Sequence, residues 1–340
     1  MKKVVSMLMV ALLICGVSLS FTSCAQGIKV NPDKEKYVVG ICQLAPHPAL
    51  DEATQGFKDA LTEALSAEGR EVEFKEGNAN NETTACSTII NNYVSADVDL
   101  ILANATAALQ TAYNATQRIP VLGTSITDYG VALGIENFSG TVGSNVSGTS
   151  DLAPLEQQAQ MMVDILSLGT GDRVGLLYCS GEPNSAYQVQ VVKECLEAKG
   201  IVCTEYKFSE TNDLSPVVTN AVANNDAIYV PTDNTVATNT SIIDNICRPA
   251  GVPVFAGEEG ICEGCGFATL SISYYNIGKK AGEMAADILL GRKDVREMEI
   301  GYDEAPVKKY NAEICAELGI DTAALDAAGY EPITVSEPAE

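Results

Sequence analysis

The sequence contains no tryptophan, a single histidine and few basic residues, with 21 Lys and Arg against 45 Asp and Glu. The resulting net charge of −24 argues against a nucleic-acid partner and against docking on anionic lipid, because both surfaces repel a strongly acidic protein. The absence of indole side chains also disfavours a sugar ligand, because sugar receptors favour stacking on tryptophan. These absences leave small molecules other than sugars as the favoured ligands.

Signatures of catalysis are missing as well. The sequence has no phosphate loop ending in Gly-Lys-Ser/Thr, no HExxH, no GxSxG elbow and no GxGxxG that opens a helix. The only histidine, His47, lies between two prolines, and no nucleophile motif accompanies it. We therefore predict a protein that is not an enzyme and that needs no cofactor or metal.

Cysteine, by contrast, is abundant, with eleven residues. Cys262 and Cys265 form one CxxC pair in a Gly-rich loop, whereas a structural zinc site needs four ligands. Zinc is therefore disfavoured, and a disulfide or two free thiols remain open. Cys42 and Cys86 are typical of the others, which lie in or beside apolar segments as small buried hydrophobic residues do.

The one long apolar run lies at the N-terminus, where residues 4–17 follow Lys2 and Lys3. A run of about 14 residues is too short for a membrane span, which needs about 20. The layout predicts a signal peptide over residues 1–23, with an uncleaved anchor helix as the alternative.

The end of the predicted leader, Phe21-Thr22-Ser23-Cys24, resembles a bacterial lipobox. The resemblance implies that Cys24 becomes the first mature residue and carries lipid, which would tether the protein to the outer face of the cell membrane. Residues 24–36 are mostly polar and are predicted to form the tether.

Short apolar runs alternate with amphipathic segments twice along the remaining chain. Residues 38–44 and 49–65 begin the first series of strand and helix, and residues 173–179 and 184–199 begin the second. This alternation predicts α/β lobes with parallel sheets covered by helices on both faces. A chain of 340 residues with two such series predicts two Rossmann-like lobes.

Polar residues follow many of the predicted strands, where parallel sheets bind ligands. Predicted helix N-termini, which attract a ligand carboxylate, occur at Thr106, Asn184 and Asn234. The candidate partners of a ligand ammonium are Asp128, Asp151 and Asp233, and the tyrosines that are candidates for packing on an apolar ligand are Tyr129, Tyr187 and Tyr274. Each has a structural alternative as a helix cap, a turn acceptor or the edge of a core.

Several stretches resemble the ABC transporter substrate-binding protein family that includes tryptophan- and tyrosine-binding receptors. The matching stretches are His47-Pro48-Ala49-Leu50-Asp51, Ala105-Thr106 with Gln110, Thr127-Asp128, residues 148–151, Asn184-Ser185 with Tyr187-Gln188, residues 229–235, residues 255–258, and Tyr274-Tyr275 with Gly278, Gly282, Glu283 and Met284. The resemblance covers residues 37–300 and keeps its order along the chain.

The resemblance implies a type I periplasmic-binding fold with a three-segment hinge, crossed near residues 128–147, near Tyr274 and near Tyr302. We expect residues 37–140 and 275–300 to form lobe 1, residues 141–274 and 301–335 to form lobe 2, and residues 336–340 to be a tail. The lobes are expected to close on a ligand between them.

The implied function is a monomeric extracytoplasmic receptor that delivers an aromatic or other apolar amino acid to an ABC permease. The resemblance and the strand ends together give the candidate ligand-binding residues, which are His47, Pro48, Thr106, Gln110, Thr127, Asp128, Ser150, Asp151, Asn184, Tyr187, Thr232, Asp233, Asn234, Glu258 and Tyr274. Two alternatives remain open: a sensor of the same fold that feeds a signalling partner, and a secreted enzyme or thiol redox protein.

Overall fold

The computed structural model describes residues 27–303 and 305–333, so the predicted signal peptide, Cys24 and the tail of residues 336–340 lie outside it. In chain order the strands are β1 (Lys36–Gln43), β2 (Glu71–Asn78), β3 (Leu100–Asn104), β4 (Val121–Ile126), β5 (Val146–Ser150), β6 (Arg173–Cys179), β7 (Val202–Phe208), β8 (Ala227–Val230), β9 (Val254–Ala256), β10 (Ala268–Ser271), β11 (Gly301–Tyr302), β12 (Val307–Tyr310) and β13 (Glu331–Pro332).

Helices connect most of these strands. They are α1 (Pro48–Ala67), α2 (Thr83–Ser95), α3 (Thr106–Ala115), α4 (Tyr129–Leu133), α5 (Leu155–Leu166), α6 (Pro183–Glu197), α7 (Thr211–Asn224), α8 (Asn234–Ala237), α9 (Thr240–Ala250), α10 (Glu259–Cys265), α11 (Tyr274–Leu289), α12 (Ala312–Leu318) and α13 (Thr322–Ala327), with a 3₁₀ turn at Val295–Glu297. Within these bounds, no helix combines the length and the apolar character that crossing a membrane requires.

Two separate sheets define two lobes, as predicted. The first has six parallel strands in the order β11-β5-β4-β3-β1-β2. The second has the order β13-β12-β10-β9-β8-β6-β7, with β12 antiparallel to β10. The fold is thus that of a type I periplasmic-binding protein, and the predicted fold class is confirmed.

Helices cover both faces of the first sheet, which explains the run of apolar residues in its centre. Both β3 and β4 are buried along their whole length, as expected for parallel strands between two helical layers. On one face α1 and α11 contribute Phe57 and Ala285, and on the other α2 and α3 contribute Ile90 and Leu109. This packing fixes the carboxyl ends of the central strands at one edge of the lobe.

The chain passes between the lobes three times, but two of the predicted boundaries are wrong. Val146–Ser150, predicted in lobe 2, pairs with β4 of lobe 1, and Gly301–Tyr302 pairs with β5 in the same sheet. The first crossing therefore follows Ser150, not residues 128–147. The strand was missed because Val-Ser-Gly-Thr-Ser has little apolar character, although all five residues are buried.

Nine cysteines lie within residues 27–303 and 305–333, and all of them are free thiols. Cys262 and Cys265 are buried in α10, where their sulfurs donate to the carbonyls of Gly266 (3.5 Å) and Ile261 (3.4 Å). Burial raises the pKa of both thiols well above the usual value. Since the thiolate is the reactive form, these two residues are suited to packing and not to redox chemistry.

Candidate functional site

Residues that follow strands of the two sheets meet directly across the cleft between the lobes. His47 Nε2 lies 3.2 Å from Asn234 Oδ1, and Asn81 Nδ2 donates to Thr235 Oγ1 at 3.0 Å. A longer bond of 3.4 Å runs from Gln188 Nε2 to Thr127 Oγ1. The strand ends of the two lobes are therefore in contact, and the cleft is closed.

Asp151 lies at the first crossing, between the lobes, and is 4% exposed. Tyr274, at the second crossing, donates its hydroxyl to Asp151 Oδ2 at 3.0 Å. The other oxygen, Oδ1, is buried and has no hydrogen-bond partner among the described residues. Burial raises the pKa of Asp151 to about 6, against the lowering effect of the nearby hydroxyls of Thr127 and Tyr274. A free, buried carboxylate oxygen of this kind favours a cationic partner.

The other two candidate partners of an ammonium cap short helices. Asp128 Oδ1 accepts from the amide of Val131 at the start of α4, at 2.7 Å. The two oxygens of Asp233 accept from the amides of Val236 and Cys179, at 2.9 and 2.7 Å. Both carboxylates therefore satisfy backbone amides, which is the structural alternative that the sequence left open.

Glu258 also acts as a cap, because its two oxygens accept from the amides of Gly260 and Ile261 at 2.6 Å each. Burial raises the pKa of Glu258 to about 7, against the lowering effect of these two amides. Gln110 is likewise engaged within lobe 1, where its side-chain amide donates to the carbonyl of Ala132 at 2.8 Å.

The N-terminus of α3 favours a negatively charged ligand group, unlike the carboxylate of Asp151. No side chain caps this helix, and its N-cap residue Ala105 has a positive φ of 86°. Ser125 lies on the neighbouring strand β4. It has φ 57° and a buried hydroxyl without a partner among the described residues. Left-handed backbone at two non-glycine residues stores strain, which is typical of functional sites. The free amides of α3, beginning at Thr106, favour an anionic group.

A clamp around Thr232 shapes the lobe 2 side of the cleft. Its amide donates to Gln188 Oε1 at 3.1 Å, and its carbonyl accepts from Asn184 Nδ2 at 3.0 Å and Ser185 Oγ at 3.2 Å. Asn184 and Thr232 were among the candidates, whereas Gln188 was recognised only as part of a matching stretch. The role of Gln188 depends on contacts with residues distant in sequence, which no local pattern reveals.

The remaining candidates lie around these groups. Ser150 Oγ donates to the carbonyl of Thr127 at 2.9 Å, and Pro48 occupies the first turn of α1. Tyr187 is half-buried, and burial, with Asp128 and Tyr302 nearby, raises its pKa. His47 Nδ1 is buried without a partner in the described part of the chain, and burial lowers the pKa of this ring.

Comparison with known proteins decides the family. The family model for ABC transporter substrate-binding proteins matches residues 38–324. The chain belongs to this family. Its members bind small molecules outside the cytoplasm and work with ABC permeases, and they are not enzymes. As a substrate-binding protein, the chain binds a small ligand, and the prediction that it is not an enzyme is confirmed.

Relatives of this substrate-binding protein include proteins with defined ligands. A tyrosine-binding protein of Clostridioides difficile (strain R20291) is 31% identical over 299 residues, which cover 86% of this chain and 85% of the relative. A Streptococcus pneumonia protein solved in complex with L-Trp has 28% identity and a TM-score of 0.78, over 87% of this chain and 100% of that one.

A third relative was solved without ligand. It is an open substrate-binding protein with adhesive properties from Clostridium difficile, 31% identical, with a TM-score of 0.65 over 88% of this chain and 100% of that one. The chain thus superimposes better on the L-Trp complex than on the open structure, although the open protein is the more similar in sequence. This order agrees with the hydrogen bonds that close the cleft.

Proposed function

We propose that this substrate-binding protein is the receptor of an ABC importer for an aromatic, or other apolar, amino acid. The observation that carries the proposal is the free buried oxygen of Asp151, which lies between the lobes and has a bond from Tyr274 on its other oxygen. The tyrosine-binding relative and the L-Trp complex support an aromatic ligand.

In the proposed complex the ligand ammonium binds Asp151 Oδ1, and the ligand carboxylate binds the free amides at the start of α3. An amino acid carries these two charges at one end, so one carboxylate and one helix N-terminus recognise the zwitterion. Ser125 Oγ and His47 Nδ1 supply further polar contacts, and Tyr187 and Tyr274 pack on the apolar body.

The other candidate residues belong to the proposed site as its walls. We assign direct contacts also to Pro48, Thr127, Ser150 and Asn184, and a framing role to the remaining candidates, which are Gln110, Asp128, Thr232, Asp233, Asn234 and Glu258. Among the framing residues, Gln110, Asp128, Asp233, Asn234 and Glu258 have side chains that already bond other groups of the protein.

The absence of tryptophan from the chain gives a direct binding test. Indole fluorescence, excited at the red edge of its absorption, comes only from added L-Trp, and transfer into a buried site changes its emission. We expect saturable binding, competed by L-Tyr and L-Phe and not by L-Lys, L-Glu or glucose. Calorimetric titration with each amino acid checks ligands without indole. The proposal fails if no apolar amino acid binds while the protein is folded by circular dichroism.

Import and anchoring need tests in cells. We propose that Cys24 carries lipid and that the mature receptor is a monomer tethered beside its permease. In cells of the source organism, loss of the gene should lower uptake of the labelled amino acid. Cys24→Ser should release the protein into the medium and abolish labelling by a fatty-acid probe. Uptake that persists without the gene would favour the sensor alternative instead.

A further inference from the structure

Glu182 lies in lobe 2 just before α6, and its carboxylate gathers the start of α8. Oε2 accepts from the backbone amide and the side-chain amide of Asn234, at 2.9 and 2.7 Å. Oε1 accepts from the backbone amide and the hydroxyl of Thr235, both at 2.8 Å. These four hydrogen bonds to one carboxylate hold the side chains of Asn234 and Thr235 in single orientations.

These bonds also decide which atoms Asn234 and Thr235 present to lobe 1. A carboxylate only accepts hydrogen bonds, so the NH₂ of Asn234 and the hydroxyl proton of Thr235 must face Glu182. The oxygens Asn234 Oδ1 and Thr235 Oγ1 are left as acceptors on the other side. They meet His47 Nε2 at 3.2 Å and Asn81 Nδ2 at 3.0 Å.

Backbone conformation and burial position the two lobe 1 partners. Asn81 follows β2 in the left-handed conformation, with φ 65°, and its amide donates to the carbonyl of Leu44 at 2.7 Å. Asparagine tolerates this conformation better than most residues. His47 is 7% exposed and precedes the proline that starts α1.

We propose that Glu182 is a positioning residue for closure: it fixes Asn234 and Thr235 as acceptors, and these latch lobe 2 onto His47 and Asn81 of lobe 1. Glu182 stabilises the closed form without touching the ligand, and so slows ligand release. It deepens the proposed function, and rests on it only where ligand affinity is measured.

Because the chain has a single histidine, NMR of that side chain can detect the latch without any ligand. Because Asn234 Oδ1 is an acceptor, His47 must carry its proton on Nε2. With ¹⁵N-labelled histidine, NMR of the ligand-free wild type should show a predominant Nε2–H tautomer. In Glu182→Gln the side chain can donate as well as accept. The side-chain amide of Asn234 can then flip, so that Oδ1 and Nδ2 exchange places. We expect a mixture of tautomers and, by small-angle scattering, a larger open fraction.

A matched control is available on the same rim of the cleft. Glu210 and Glu182 line one cavity of about 510 Å³ between the lobes. Glu210 is exposed, and its carboxylate makes no hydrogen bond to the amides of the helix that it precedes. Glu210→Gln should leave both the histidine spectrum and the scattering curve unchanged. The latch is overturned if wild-type His47 carries its proton on Nδ1, or if Glu182→Gln behaves as Glu210→Gln does.

The second arm measures affinity for whichever amino acid binds. Glu182 is half-buried, so Glu182→Gln should weaken binding about threefold to tenfold, mainly through faster dissociation, because losing a hydrogen-bonded charge at an interface acts mainly on the dissociation rate. Asn81→Ala and Thr235→Val should each weaken it severalfold, and the double variant no more than the worse single one. Strict additivity would overturn the contact across the cleft. If no amino acid binds but the histidine tautomer responds, the proposed function fails and the latch stands.

Discussion

In the proposed site, ligand recognition depends most on the carboxylate of Asp151. Asp151→Asn keeps the shape but removes the charge, so we expect affinity for the amino acid to fall about tenfold to a hundredfold, as for a lost charge-assisted hydrogen bond. The unliganded variant should melt at the same temperature or higher, because it no longer buries a charge. Calorimetric titration and thermal unfolding measure the two effects.

Asp164→Asn is the control for this substitution, since Asp164 is exposed on α5 and bonds only Gln160 among the described residues. It should change neither affinity nor stability. If Asp151→Asn binds normally, or loses affinity only in step with stability, the carboxylate does not hold the ammonium.

The raised pKa of Asp151 predicts that affinity depends on pH. The folded value of about 6 exceeds the unfolded value of about 3.9, so without ligand the carboxyl group adds stability below about pH 4 and loses this contribution as the pH rises through 6. The ligand ammonium prefers the ionised form. The dissociation constant should therefore rise about tenfold from pH 7 to pH 5.

Titration calorimetry across this range measures the slope, and Asp151→Asn should make it flat. A slope that survives in Asp151→Asn would assign the titration to another group, with Glu258, whose pKa burial raises to about 7, and His47 as the candidates.

At this scale the sequence could name the candidates but not rank them. Asp128, Asp151 and Asp233 each follow a strand, and their local sequences all suit both a cap and a ligand contact. What separates them is whether backbone amides fold back onto the carboxylate, as at Val131 and Val236. That depends on where the next helix begins, to within one residue.

Among the described elements, α1 and α11 make the most extensive contact, and α11 begins where the chain returns to lobe 1. A Cβ on Gly278 would lie 2.0 Å from the carbonyl oxygen of Ala53, and one on Gly282 would lie 2.5 Å from that of Phe57. The two glycines are one turn apart on one face of α11, so the backbones can approach only while both lack side chains.

Gly278→Ala should therefore separate the helices and lower the free energy of unfolding by about 1–3 kcal/mol, the usual cost of overpacking. Urea unfolding measures it. Gly169→Ala is the control, because a Cβ there meets nothing within 4 Å, and its effect should stay within about 0.5 kcal/mol. A neutral Gly278→Ala would contradict the close approach of α1 and α11.

A sequence pattern can find some helices and strands of this protein and not others. The predicted helix at residues 49–65 corresponds to α1, because its apolar positions repeat with the helical period. Strand β5 gave no such signal, since its buried serine and threonine side chains bond other polar groups, as Thr149 does with Thr124 at 3.1 Å.

For the whole molecule, the repeated βα series sufficed to predict two lobes, while the position of the crossings required the sheet pairing itself. This arrangement has a consequence for unfolding. Two lobes with separate sheets and cores can unfold in separate transitions, so the unliganded protein need not behave as a two-state system.

A ligand bound between Asp151, the start of α3 and the lobe 2 strand ends contacts both lobes, and is lost when either unfolds. At about 100 times the dissociation constant it should add about 2.7 kcal/mol by mass action. Scanning calorimetry should then show both transitions shifted upward and merged towards one. A shift of one transition alone would mean that a single lobe holds the ligand, and would contradict a site closed by both. Glu182→Gln should reduce the merging more than Glu210→Gln, since a weaker latch couples the lobes less.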